Sequence, residues 1–183
     1  MLSLRFPRLH LRCAAAFAAC CAGLTLASAA HAIDLRDWGR KFPTSERFAV
    51  LSQFGNEAVL DKETQLVWQR TPSSGTGIWQ GAINSCFQLQ LGGRLGWRLP
   101  TVPEMLSLLR ADAPPSTPSL PAGHPFQNVQ SGLYWAANLP RNPSGQPVTL
   151  GYVVGFTSGP LFVTPLSDHR LRWCVRGGGD LPE

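Results

Sequence analysis

Five cysteines occur in this 183-residue chain, Cys13, Cys20, Cys21, Cys86 and Cys174. How many of them reach the folded protein constrains its architecture more than any other feature. The first three lie in a segment built like a secretory leader. Residues 1–12 carry Arg5, Arg8 and Arg12 and no acid, and an apolar run rich in Ala, Leu and Cys extends from Cys13 to Ala30. Ala30-His31-Ala32 then has the small-x-small form that a signal peptidase cuts. Gly23, Thr25 and Ser28 interrupt the run, which makes it a poor transmembrane helix. The competing readings are a retained membrane anchor and, through Phe17-Ala18-Ala19-Cys20, a lipoprotein. Cleavage after Ala32 leaves Cys86 and Cys174, an even number suited to an oxidising compartment. If they pair, the connectivity is forced, and closing a loop of that length contributes about 4 kcal/mol in the chain-entropy model. The alternative is two buried free thiols.

The same cut changes the charge. The whole chain holds 16 Lys+Arg and 11 Asp+Glu. The leader removes three arginines and no acid, so 13 basic residues face 11 acidic ones, a surplus of two. The basic isoelectric point is therefore largely a property of the leader, and it does not indicate a nucleic-acid partner. The expected product is periplasmic or extracellular, with no stable membrane anchor after cleavage. About 150 residues remain, enough for one domain with one core. Eighteen glycines, 16 prolines and a charged fraction of 15% predict a loop-rich fold with short strands and not a helical bundle.

Along the chain, residues 33–47 read as a loosely tied lead-in and residues 179–183 as a frayed tail. Phe48 to Leu51 is a short apolar run. Ala58–Leu60, Asp61–Thr64 and Gln65–Trp68 read as strand, turn, strand, and Pro72–Gly77 as a loop. Trp79, Ala82, Ile83, Cys86 and Gln90 recur at helical spacing, which turns Cys86 inward, and Gly92-Gly93 stops the helix. Gly96–Pro100 is extended. Thr101-Val102-Pro103-Glu104 is a capping box that opens a second helix running to about Arg110. Residues 111–130 form a long loop containing Pro114, Pro115, Pro118, Pro121 and Pro125. Leu133–Ala137 is a strand, and residues 140–147 form another loop. Thr149–Phe156 and Leu161–Thr164 flank Thr157-Ser158-Gly159-Pro160 as a hairpin. Arg170–Arg176 is one closing strand.

This order is an α+β arrangement of two helices, short antiparallel strands and long loops, with the first helix bonded to the final strand. It resembles the C-type-lectin-like fold. Local strings narrow the resemblance: Leu66-Val67-Trp68-Gln69-Arg70; Trp79-Gln80 with Ala82 and Cys86; Gly96-Trp97-Arg98-Leu99-Pro100-Thr101 with Glu104; Tyr134-Trp135; and Arg172-Trp173-Cys174-Val175-Arg176-Gly177-Gly178. Together they resemble the Lcl C-terminal domain family over residues 48–178. Some members of that family are adhesin tips that recognise sulfated polysaccharides. The resemblance therefore implies an exported, non-catalytic recognition module for a glycan or surface polymer. The alternative is a structural or accessory subunit of an envelope or fimbrial assembly, with an envelope protein as partner. The chain departs from better-known members in lacking a collagen-like repeat and in being only mildly basic.

Individual residues sharpen these expectations. Trp68, Trp79, Trp97, Trp135 and Trp173 sit among apolar neighbours and are expected in the core, not on a sugar-stacking platform. Arg94, Arg98, Arg170, Arg172 and Arg176 compete between a basic patch and structural ion pairs, with Glu104 and Asp112 as partners. Strand alternation around Cys174 turns Arg172 and Arg176 inward. That leaves Arg141 and Arg170, with Asn138 and Asn142 in the neighbouring loop, as the candidate ligand-binding residues. Residues 113–167 contain no Asp or Glu, so a lectin-type calcium site is not expected, and no cofactor is implied. His124 and His169 stand without the motifs of a hydrolase, metalloprotease or phosphate loop. His124 is expected to satisfy a local hydrogen bond.

Overall fold

In the computed structural model of the chain the described residues are 42–110, 118–141, 143–144, 146–157 and 161–178, all within one compact unit, Arg40–Glu183. The leader, the first part of the lead-in, residues 111–117 and the tail lie outside them. The elements run α1 (Thr44–Arg47), β1 (Phe48–Val50), β2 (Ala58–Asp61), β3 (Leu66–Gln69), β4 (Ser73–Gly77), α2 (Trp79–Phe87), β5 (Trp97–Arg98) and α3 (Val102–Leu106). They continue as β6 (Leu133–Trp135), β7 (Leu150–Gly155), β8 (Phe162–Pro165), β9 (Arg170–Arg172) and β10 (Val175–Arg176).

The strands form two five-stranded sheets, ordered β1-β2-β3-β10-β5 and β4-β9-β6-β7-β8. Every pairing is antiparallel except β6 with β9, where Tyr134 lies beside Leu171 in parallel. The result is the expected α+β fold with few, short helices.

Local chemistry explains the early hairpin. Asp61 ends β2, and its carboxylate accepts from the Glu63 amide at 3.0 Å and the Thr64 hydroxyl at 2.9 Å, which folds the chain back into β3. The register then sets Val59 opposite Trp68, both fully buried. The capping box is formed as the spacing predicts. Glu104 N–H donates to Thr101 Oγ1, and Thr101 N–H donates to Glu104 Oε2 at 2.7 Å.

Alternating side chains split the interior into two clusters. Tyr134 joins Trp68, Phe126, Phe156 and Trp173 in an aromatic cluster closed by Met105 and Leu108. Its neighbour Trp135 points to the opposite side, to Phe54, Trp97, Ala82 and the Cys86–Cys174 pair beneath α2. That pair is a disulfide with an S–S distance of 2.04 Å and Cα atoms 5.5 Å apart, so the sequence expectation of a bridge from the first long helix to the end of the chain holds.

Four expectations need correction. The closing strand is two strands: β9 belongs to one sheet and β10 to the other, and Trp173-Cys174 crosses between them. The crossing is held by Gln69, whose N–H donates to Cys174 O at 3.0 Å and whose carbonyl accepts from Trp173 Nε1 at 2.7 Å. Pro72–Gly77 is not wholly loop, because Ser73–Gly77 pairs with β9 through an irregular register. A polar, glycine-rich edge strand carries no apolar alternation to reveal it.

The two helices also end early, at Phe87 and Leu106. Leu91 must reach the second cluster, so the chain leaves the helix and reverses at Leu91–Arg94 with Gly92 at φ +54° and Gly93 at +72°. A Cβ on Gly92 would sit 2.4 Å from Phe54 Cα, so only glycine fits there. Lastly, the end of the lead-in is tied down. Arg47 is buried and bonded to Asp61, a partner 14 positions away that local reading does not supply.

Candidate recognition surface

Five indoles lie in the interior or at its margin. Trp68, Trp97, Trp135 and Trp173 are fully buried and Trp79 is half-buried. Four of the five are oriented by their N–H: Trp79 to Ala136 O, Trp97 to Arg94 O, Trp135 to Gly77 O and Trp173 to Gln69 O, all within 3.0 Å. They are core residues, as their apolar neighbours predict.

Three of the four nominated ligand residues, Asn138, Arg141 and Arg170, are described. Asn138 is exposed, but its Oδ1 accepts from the Val102 amide at 2.8 Å, at the first turn of α3. Arg170 donates from Nη2 to Asp168 Oδ2 at 2.6 Å and to Thr164 Oγ1 at 2.9 Å. The Thr164 hydroxyl also donates to Asp168. That hydroxyl and then Arg170 hold the Asp168 carboxyl below the usual carboxylate range. Arg141 is exposed, and Asn142 lies outside the described residues. Two of the four are thus engaged with the protein itself.

The remaining arginines divide by whether a carboxylate neutralises them. Arg98 is consumed by Glu104, with Nη–Oε contacts of 2.6 and 2.9 Å, as the choice of Glu104 as partner anticipates. Burial pushes the Glu104 carboxyl up, but the bonds from Arg98 and Thr101 outweigh it, and the net effect is downward. Asp112 lies outside the described residues.

Arg94 and Arg176 have no carboxylate within ion-pair distance among the described residues, and Arg176 is bonded to the residue that follows Arg94. Arg94 lies over the Phe54 ring with Cζ 4.9 Å from its centroid. Arg176 is half-buried and donates from Nε to Leu95 O at 2.8 Å. Between them Leu95 is exposed, and Gly93 and Gly96 carry no side chain to obstruct an approaching anion. Arg70, Arg141 and Arg172 likewise have no carboxylate within ion-pair distance among the described residues; Arg172 lies on the other sheet, with Nη1 on Gly75 O at 3.2 Å.

The inward reading of Arg172 and Arg176 therefore needs correction. Trp173, Cys174 and Val175 are buried in succession because the chain changes sheets there, and alternation restarts at β10 with Val175 in and Arg176 half out. The sequence signal that could have found this pair is the Gly-Gly-Arg-Leu-Gly-Trp run, residues 92–97, whose glycines mark a tight turn beside a cation.

Among the described residues neither His124 nor His169 is ion-paired with a carboxylate. His124 Nδ1 accepts from the Phe126 amide at 3.2 Å, and burial pushes its pKa down. Asp168 beside His169 is turned to Thr164 and Arg170. Among the described residues no three His, Cys, Asp or Glu side chains are grouped to hold a metal ion, and no helix is long and apolar enough to cross a membrane.

Compared with family models, residues 57–176 match the Lcl C-terminal domain. That span runs from just before β2 to the end of β10 and contains both halves of the disulfide, Arg94 and Arg176. No curated protein matches the chain.

Proposed function

The chain belongs to the Lcl C-terminal domain family, and on that premise we propose that it is an exported, non-catalytic recognition module for an anionic surface polymer. The class of ligand is a polysaccharide bearing sulfate or carboxylate groups, and the contact is made by Arg94 and Arg176. The observation that carries this reading is that these two guanidinium groups share the Arg94–Leu95 segment, are held by a ring and a carbonyl, and are spared by the carboxylates that take Arg47, Arg98 and Arg170. A planar fork held in place loses less freedom on binding an anion and can grip it with two parallel bonds.

Export is part of the proposal. The leader composition of residues 1–32 supports it, and so does the buried Cys86–Cys174 bridge, since such bonds persist in oxidising compartments. The two-sheet arrangement stapled from α2 to the chain's last strands is also consistent with a C-type-lectin-like fold. Neither a nucleic acid nor a cofactor enters the reading.

A glycan array probed with the exported protein at low and moderate salt tests it. Sulfated or uronate-rich polymers should bind, neutral glycans should not, and binding should weaken as salt rises. The double variant Arg94→Ala/Arg176→Ala should lose at least tenfold in affinity with an unchanged near-UV circular dichroism spectrum. Background signal at both salts, or a double variant that binds like the parent, overturns the assignment.

A second reading, an accessory subunit of an envelope assembly, is favoured by a separate observation: Leu150, Leu161, Phe162 and Val163 are exposed apolar side chains on one hairpin.

A further inference from the structure

Of the residues His124–Gln127, Phe126 alone is buried; His124 and Pro125 are half-buried and Gln127 is exposed. The Phe126 ring meets Trp173 edge-on with centroids 5.0 Å apart and Phe48 at 5.2 Å, and the His124 ring lies 5.7 Å from it. A short surface segment thus plugs the aromatic cluster with one side chain. Left-handed backbone bounds the segment. Gly123 has φ +79° with open space around its Cβ position, and Asn128 has φ +52°. Gly and Asn adopt that conformation most readily, so both ends can turn at little steric cost.

Three bonds hold the segment down. Two come from Arg70, just after β3: its Nε donates to Pro125 O at 3.1 Å, and its carbonyl accepts from Gln127 N–H at 2.9 Å. Neither involves a group that titrates near neutral pH. The third lies within the segment, where Phe126 N–H donates to His124 Nδ1 at 3.2 Å. That bond needs an unprotonated Nδ1, because an imidazolium ring has no lone pair to accept with.

A proton on His124 finds no compensation while the segment is closed. The elements packed against it carry these charged groups. Arg70 is bonded to Pro125 O, and the exposed Glu57 meets Arg70 through its own carbonyl. Arg47 lies over the Phe48 ring and is paired with Asp61 and Glu63. Arg172, beside Trp173, is bonded to Gly75 O. Among the described residues none of these groups is bonded to His124, and burial pushes its pKa down from 6.5.

We propose that His124–Gln127 is an acid-released flap: Nδ1 of neutral His124 keeps Phe126 seated in the aromatic cluster, and proton uptake there lets the segment swing out about Gly123 and Asn128, uncovering Phe48 and Trp173 while both sheets stay folded. The open fraction rises as pH falls from about 6.5 and levels off once the closed state is itself protonated. The device is local, because the disulfide and the ladders of both sheets lie outside the segment.

Hydrogen exchange of the exported protein, resolved by NMR, tests this independently of polymer binding. Relative to the intrinsic rate at each pH, protection of the Phe126 and Gln127 amides should fall at least about threefold between about pH 7 and about pH 5, while the amides of β2 and β7 keep theirs. His124→Asn sets an uncharged acceptor in place of Nδ1 and should hold the protection constant. The coupling runs both ways. In Phe126→Ala with β2 and β7 still protected, the His124 ring protons should titrate closer to 6.5 than in the parent. The same pH dependence in parent and His124→Asn, a loss of protection shared by β2 and β7, or a His124 titration unmoved in Phe126→Ala each overturns the proposal.

Discussion

Arg47 grips Asp61 with two bonds, Nε to Oδ1 at 2.8 Å and Nη2 to Oδ2 at 2.7 Å, while the Asp61 side chain is completely buried. The same guanidinium reaches Ser107 O at 2.9 Å and Glu63 Oε2 at 2.9 Å, so one residue joins the entry of the domain, the β2–β3 turn and the end of α3. Burial alone would lower the Arg47 pKa, but the bond and charge of Asp61, then Glu63, reverse this and raise it. Removing one partner strands the other charge inside. Asp61→Asn should cost about 3–5 kcal/mol in urea unfolding. A cost under about 1 kcal/mol would show that the pair behaves as a surface ion pair.

The Cys86–Cys174 bridge closes a separation of 88 residues and crosses from α2 to the point where the chain changes sheets. Replacing both cysteines by alanine should lower stability by about 2–5 kcal/mol. Intact-mass measurement without reductant should find the exported protein two hydrogen atoms lighter than its free-thiol form. Two free thiols in correctly exported material would contradict the bridge.

Glu104 couples the capping box to Arg98 and titrates below its ordinary value of 4.5 when folded. A carboxyl whose folded pKa is depressed contributes stability that is fully present above the unfolded pKa and is lost as pH falls through the folded one. Stability should therefore decline below about pH 4.5, and Glu104→Gln should flatten part of that decline while lowering stability at neutral pH. Parallel acid limbs for parent and variant would refute the assignment.

His124 is also depressed, from 6.5, but its charged form is the acid one. The unfolded chain takes up the proton first as pH falls, so stability is full above about pH 6.5 and is lost between there and the lower folded pKa. Protonation also removes the lone pair that accepts the Phe126 amide. His124→Asn, which keeps an acceptor, should erase this component, as read from chemical denaturation at a series of pH values between 5 and 7. An unchanged profile would show that His124 titrates alike folded and unfolded.

The elements that were legible from sequence are those whose causes are local. The Thr101–Glu104 box needs only four residues, the Asp61–Thr64 turn needs Asp and Thr side chains beside their own backbone, and the inward stripe of α2 needs only helical periodicity. The candidate site was less legible. Asn138 and Arg170 looked free for a ligand because their partners, Val102 and the Thr164–Asp168 pair, are brought to them by the fold.

By itself, the sequence determined the leader-like segment, the even cysteine pair, the buried tryptophans, the short-strand α+β character and the family. Each follows from composition, spacing or short motifs. Only the tertiary structure decided that the last strand divides at Trp173-Cys174 and that, among the described residues, carboxylates pair with Arg98 and Arg170 but not with Arg94 and Arg176. The physical reason is range. Which sheet a strand joins depends on hydrogen bonds such as Trp173 Nε1 to Gln69 O, 104 positions apart. Which arginine is ion-paired depends on which carboxylate the folded chain carries to within bonding distance, and no local pattern encodes that meeting.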